Sequence, residues 1–173
     1  IVDNASDIIS ETISNALGGG IDTVIASASY SIAGFANVEN LILAGGAGNI
    51  NATGNAAANT LTGNQNNNVL NGGGGADLLF GGAGNDVYVI DNAGDVVNEQ
   101  GNADSHDELR SATIRFTSMV ADIEDYSYTG ALAWTFTGNG IANRLSGGGV
   151  NDSLNGADGN DTLSGQTGVN TAD

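Results

Sequence analysis

The stretch GGGGADLLFGGAGND, Gly72 to Asp86, decides how the rest of the chain is read. It sets a run of glycines ahead of an acidic residue twice, nine residues apart. Outward from it the step persists. Leu61, Leu70 and Leu79 keep it, as do Gly63, Gly72 and Gly81, and Asn59, Asn68, Asp77 and Asp86. It returns near the end of the chain, with Leu145, Leu154 and Leu163, with Gly147, Gly156 and Gly165, and with Asn143, Asp152, Asp161 and Asn170 in the acidic slot. A fixed short period marks a repeat architecture, in which each unit buries its apolar residue only by stacking on its neighbours.

A longer period lies on top of the short one. IVDNASDIISE from Ile1 matches VIDNAGDVVNE from Val89, NVENLILAG from Asn37 matches DIEDYSYTG from Asp122, and GNAAANTLTG from Gly54 matches GNGIANRLSG from Gly138. The offsets fall from 88 to 84, so the second copy carries small deletions. Two modules are therefore expected: 1–87, with a β-rich arm over 1–53 and a nonapeptide block over 54–87, and 88–173, with an arm over 88–137 and a block over 138–173. They are expected to form one continuous solenoid. Neither end reads as a cap, so the array is expected to continue beyond this segment.

In the arms, DTVIASASYSI (Asp22 to Ile32) and LAWTFTG (Leu132 to Gly138) alternate apolar with small polar residues, the period of a half-buried strand. SDIISETISNAL (Ser6 to Leu17) is the best helical candidate, but its second copy carries Gly101, so strand plus loop is expected. Trp134, Phe136, Tyr126 and Tyr128 also alternate. Core packing explains them better than a ligand-stacking platform does.

Composition narrows the functions. Among 173 residues the formal net charge is −17, and the only basic side chains besides His106 are Arg110, Arg115 and Arg144. Nucleic acid and anionic membrane surfaces need a positive footprint that is absent. No apolar run approaches the roughly 20 residues of a membrane-spanning helix. There is no cysteine, and aromatics make up 5%. The chain can therefore build only a thin core. His106 lies in the polar stretch NADSHDELR and reads as a surface residue. No zincin, nucleophile-elbow or phosphate-loop motif occurs. Asp152 and Asp161 are explained by the repeat rather than as paired glycosidase carboxylates. An enzyme is not expected.

Glycine is costly to order, and regularly spaced aspartates repel one another. A bound cation offsets both. Glycine turns can aim carbonyl oxygens inward, and the aspartate adds a carboxylate. Oxygen donors without histidine or cysteine suit Ca²⁺.

GGGGADLLF, GGAGNDVYV, GADGNDTLS and the close GGGVNDSLN resemble the hemolysin-type (RTX) calcium-binding repeats of secreted bacterial proteins, over about half the chain. The resemblance implies an all-β, right-handed parallel β-roll, an open-ended β-solenoid with Ca²⁺-binding Gly/Asp turns and two nonapeptides per turn. Loops on one side are then 18 residues apart. This pairs Asn59 with Asp77, Asn68 with Asp86, Asn143 with Asp161, and Asp152 with Asn170. Each pair has one Asp and one Asn, where the family has two Asp, so weaker sites are expected. Two richer pairs, Asp77 with Asp95 and Asp86 with Asp104, extend the step past the block. The turn residues Gly72, Gly74, Gly75, Gly81, Gly82, Gly84, Gly147, Gly149, Gly156, Asp158 and Gly159 complete the expected metal positions.

The function implied is a calcium-folded structural segment of a large secreted or cell-surface protein: a fibre, adhesin or surface-layer part, with end-to-end or lateral self-association. Alternatives are the secretion and folding module of an exported lipase, protease or polysaccharide-modifying enzyme, and a carbohydrate-binding module using Trp134 and the tyrosines.

Overall fold

The computed structural model describes residues 1–10, 19–99, 106–169 and 171–172. Most of SDIISETISNAL, together with Asp104 and Asn170, lies outside them. Sixteen short strands follow one another without a helix among the described residues: β1 (Thr23–Ala26), β2 (Tyr30–Ser31), β3 (Asn40–Leu43), β4 (Ala52–Thr53), β5 (Thr60–Thr62), β6 (Val69–Asn71), β7 (Leu78–Phe80), β8 (Val87–Val89), β9 (Val96–Asn98), β10 (Glu108–Ser111), β11 (Asp125–Tyr128), β12 (Thr135–Thr137), β13 (Arg144–Ser146), β14 (Ser153–Asn155), β15 (Thr162–Ser164) and β16 (Thr171–Ala172).

All pairings between them are parallel and join a strand to its equivalent one turn on. The fold is the expected parallel β-solenoid. Within the blocks the register advances by 18 residues, as Leu61↔Leu79, Leu70↔Tyr88 and Leu145↔Leu163 show. One face is an 8-stranded sheet in the order β15-β13-β11-β10-β8-β6-β4-β2. The other carries a 5-stranded sheet, β1-β3-β5-β7-β9, and after an interruption a 3-stranded sheet, β12-β14-β16.

The second copy enters this stack half a turn out of step with the first. At offsets of 84 or 85, β1, β3, β5 and β7 correspond to β10, β11, β13 and β15. The former lie in the 5-stranded sheet and the latter in the 8-stranded one. The long sheet is thus composite, built from the second face of copy one and the first face of copy two. The seam falls between β8 and β10.

Each block strand buries its central residue and leaves the flanking two more exposed. Leu61, Leu70, Leu79, Tyr88 and Leu145 are fully buried. Each such side chain contributes about 1.5–3 kcal/mol by leaving water. Where the second face is interrupted, aromatic rings fill the core instead. Trp134 stacks on Phe136 at 4.9 Å, and Phe116 meets Tyr126 edge-on at 5.5 Å. Trp134 Nε1 donates to Phe116 O at 2.9 Å. Tyr126, Tyr128, Trp134 and Phe136 are buried, as expected for core packing, and present no stacking face for a sugar.

Candidate metal centres

The acidic slot is the residue just before a strand. Its side chain turns inward and bonds along the stack. Asn59 N donates to Asp77 Oδ1 at 2.8 Å, Asn68 N to Asp86 Oδ1 at 2.7 Å, and Asn143 N to Asp161 Oδ1 at 2.9 Å. These three pairs therefore stand side by side, as the 18-residue step requires. Asp77 N donates to Asp95 Oδ1 at 3.0 Å, which adds a further rung. Asp152 Oδ1 accepts from Trp134 N at 2.8 Å.

Asparagine and aspartate behave differently in the slot. Asn59 closes its own turn, its Oδ1 accepting from Asn55 N at 2.7 Å, and its Nδ2 donates to Val38 O at 3.0 Å. Asn68 repeats this with Asn64 N at 2.8 Å and Ile50 O at 2.7 Å. Asn143 accepts from Asn139 N at 2.8 Å. An aspartate has no proton to donate to the rung behind it. Asp77 and Asp86 each keep one buried oxygen, Oδ2, without a hydrogen-bond partner. Asp95 differs again, because its Oδ2 accepts from Asp91 N and Asn92 N, both at 3.1 Å.

Glycine makes room for those oxygens. A Cβ on Gly72 would lie 2.2 Å from Asp77 Oδ2, and one on Gly156 2.3 Å from Asp161 Oδ2. On Gly147 it would lie 2.1 Å from Asp152 Oδ2. Gly75 and Gly84 pack against the carbonyls of Ala57 and Asn66, one turn back. Gly82 packs against Asn64 O and Gly159 against Ile141 O in the same way. Gly74 has ordinary contacts, Gly149 meets only Thr167, and Asp158 is exposed.

The rung after Asp86 departs from the expected step. Asp86 N donates to Asp107 Oδ1 at 2.7 Å, so the neighbour lies 21 residues on, not 18 as the pairing with Asp104 assumed. The connection between β9 and β10 is longer, and the slot directly before β10 belongs to Asp107. The rung continues through Asp107 N, which donates to Glu124 Oε2 at 3.1 Å. On the other face Asp22 N donates to Glu39 Oε2 at 2.9 Å. Glu39, Glu124 and Asp107 are slot residues that the nonapeptide pattern does not reach. The match of NVENLILAG with DIEDYSYTG does align the two glutamates, each directly before an apolar strand.

Burial inside this acidic column raises the carboxyl pKa values. Asp77 is pushed up to about 6, by burial first and then by Asp95 and Asp91 against an opposing backbone hydrogen bond. Asp86 reaches about 7 by burial, with Asp107 adding to it. Glu99 reaches about 8, again by burial, with Asp107 and Asp86 adding against an opposing hydrogen bond from Tyr88. Desolvation that penalises the charged form this strongly is relieved by a cation. The residues fit a hard divalent ion: the donors are oxygens, and Asp77 Oδ2 and Asp86 Oδ2 are among the buried carboxylate oxygens without a partner. His106 is exposed, and its charge bears on Glu124 and Asp125 at the edge of the column.

No curated protein and no solved structure matched the chain. Among the described residues no helix is long and apolar enough to cross a membrane. A family model matches twice, over 53–88 and 137–172, in four copies. The matched family is the RTX calcium-binding nonapeptide repeat, and the matched segments hold most of the rungs and glycine cradles described above.

Proposed function

We propose that the chain is a calcium-folded structural segment of a secreted or cell-surface bacterial protein, of the fibre, adhesin or surface-layer kind. The observation that carries this reading is the pair of buried, unpartnered carboxylate oxygens on Asp77 and Asp86, held against glycine by a thin core. Asp77, Asp86, Asp152 and Asp161 would hold the ions, with oxygens of the glycine turns around them. The asparagines at 59, 68 and 143 close their own turns and contribute less.

Without the ion, glycine entropy, clustered carboxylates and a net charge of −17 oppose folding. With it, binding free energy becomes folding free energy. Extracellular calcium modules have dissociation constants of about 10⁻⁴–10⁻³ M. At 100-fold excess each site contributes about 2.7 kcal/mol. At low intracellular calcium it contributes almost nothing. Such a chain passes unfolded through an export channel and folds outside. Two similar modules in tandem, 1–87 and 88–173, favour an extended stack over a short tail on an enzyme.

Circular dichroism of the EDTA-stripped protein during calcium titration tests this, with magnesium as control. A cooperative coil-to-β transition at sub-millimolar to millimolar calcium, absent with magnesium, is expected. An unchanged β spectrum in EDTA would overturn the folding switch.

A further inference from the structure

Three carboxylates meet at the seam between the two copies. Asp86 stands before β8, at the end of the first nonapeptide block. Glu99 directly follows β9, and Asp107 directly precedes β10. All three are buried, at 0%, 2% and 0% exposure respectively. One oxygen from each lies within 4.8 Å of the others. Asp86 Oδ2 has no hydrogen-bond partner, and the Glu99 carboxylate has only the buried Tyr88 hydroxyl beside it. Gly81 leaves the space open: a Cβ there would sit 2.0 Å from the Tyr88 hydroxyl oxygen and 2.3 Å from Asp86 Oδ2. An ion pair among the described residues, Arg110 with Glu108, is partly exposed and uses a different carboxylate.

We propose that Asp86, Glu99 and Asp107 form a calcium site at the seam, with the Tyr88 hydroxyl beside it. Glu99 and Asp107 lie outside the nonapeptides, so this is a different donor set from the glycine turns. It shares Asp86 with the calcium reading above but can fail while that reading stands. With one oxygen of each carboxylate within 4.8 Å of the others, a single divalent ion can reach all three. Three buried carboxylates also give the charge that a dehydrated divalent ion requires. One ion here would tie the last strand of copy one to the first strands of copy two. It would hold the register across the one rung where the step is 21.

The test counts bound calcium by equilibrium dialysis and follows thermal unfolding by circular dichroism, on the full chain. Glu99→Gln and Asp107→Asn are each expected to bind one ion fewer than wild type. The double variant loses no more than that one. Asp77→Asn, in the nonapeptides, loses a different ion, and its combination with Glu99→Gln loses both. In saturating calcium Glu99→Gln removes a ligand and lowers Tm. A folded Glu99→Gln chain with the wild-type ion count, or with an unchanged or higher Tm in calcium, would overturn the seam site. The nonapeptide reading would remain. A wild-type chain that binds no calcium would overturn both.

Discussion

The two nonapeptide blocks share a pattern and differ in how well each position is filled. In the first, Leu61, Leu70 and Leu79 are fully buried, and Gly73 and Gly82 take the left-handed turn positions at φ 79° and 97°. In the second, Leu163 is only half-buried. Its turn positions equivalent to Gly73 and Gly82 are Ala157 and Gln166, held at φ 67° and 54°. Left-handed backbone costs a residue with a Cβ roughly 1–2 kcal/mol. The first block is thus near its repeat ideal, and the second carries strain and a looser end. In a solenoid, stability is a sum over units and their interfaces, so the second block is expected to open first.

Core truncation should separate the blocks most sharply. Leu79→Ala should cost about 2–5 kcal/mol, and Leu163→Ala about 1 kcal/mol, in chemical denaturation at saturating calcium. Equal costs would erase the contrast. Next come the cradles. Gly72→Ala forces its methyl onto the carboxylate of fully buried Asp77, at about 1–3 kcal/mol. Gly156→Ala meets Asp161, which is only half-buried and can swing away, so its cost should be smaller and its calcium affinity less altered. Calcium titration of both variants checks this.

The third prediction concerns pH in EDTA. Asp77, Asp86 and Glu99 have folded-state pKa values of about 6, 7 and 8, above their ordinary values of 3.8, 3.8 and 4.5. The folded chain then binds protons that the unfolded chain has released. Stability is fully present below about pH 4 and falls as pH rises through 8. Circular dichroism of the EDTA-stripped chain at pH 4.5, 6 and 8 should show β content that falls as pH rises. β content that rises with pH would contradict the buried acidic column. The smallest effect expected is a repair. Ala157→Gly and Gln166→Gly should each stabilise the second block by about 1 kcal/mol, whereas Gly73→Ala destabilises the first.

These contrasts follow a line already visible in the amino-acid pattern. Within the blocks, constant spacing made the parallel stack, the inward leucines and the 18-residue neighbours readable. One apolar residue and one slot residue recur per unit, and nothing interrupts the count. At the seam the step changes to 21, and at Glu124 glutamate replaces aspartate. Counting by nine therefore reached Asp104 and passed over Asp107. Glu99, at the end of VIDNAGDVVNE, recurs as Glu11 in the first copy, but it lies outside the nine-residue count. Its burial depends on the turn of copy one beneath it. Nor could spacing show that asparagine and aspartate divide the slot, the one closing its turn and the other keeping an oxygen free. That distinction rests on which backbone groups stand within reach.

The half-turn offset between the copies has a geometric consequence. Related positions in the two modules do not line up along one side of the rod. They face opposite ways, like successive leaves on a two-ranked stem. Any surface feature duplicated with the module would therefore be displayed to two different neighbours, rather than doubled towards one.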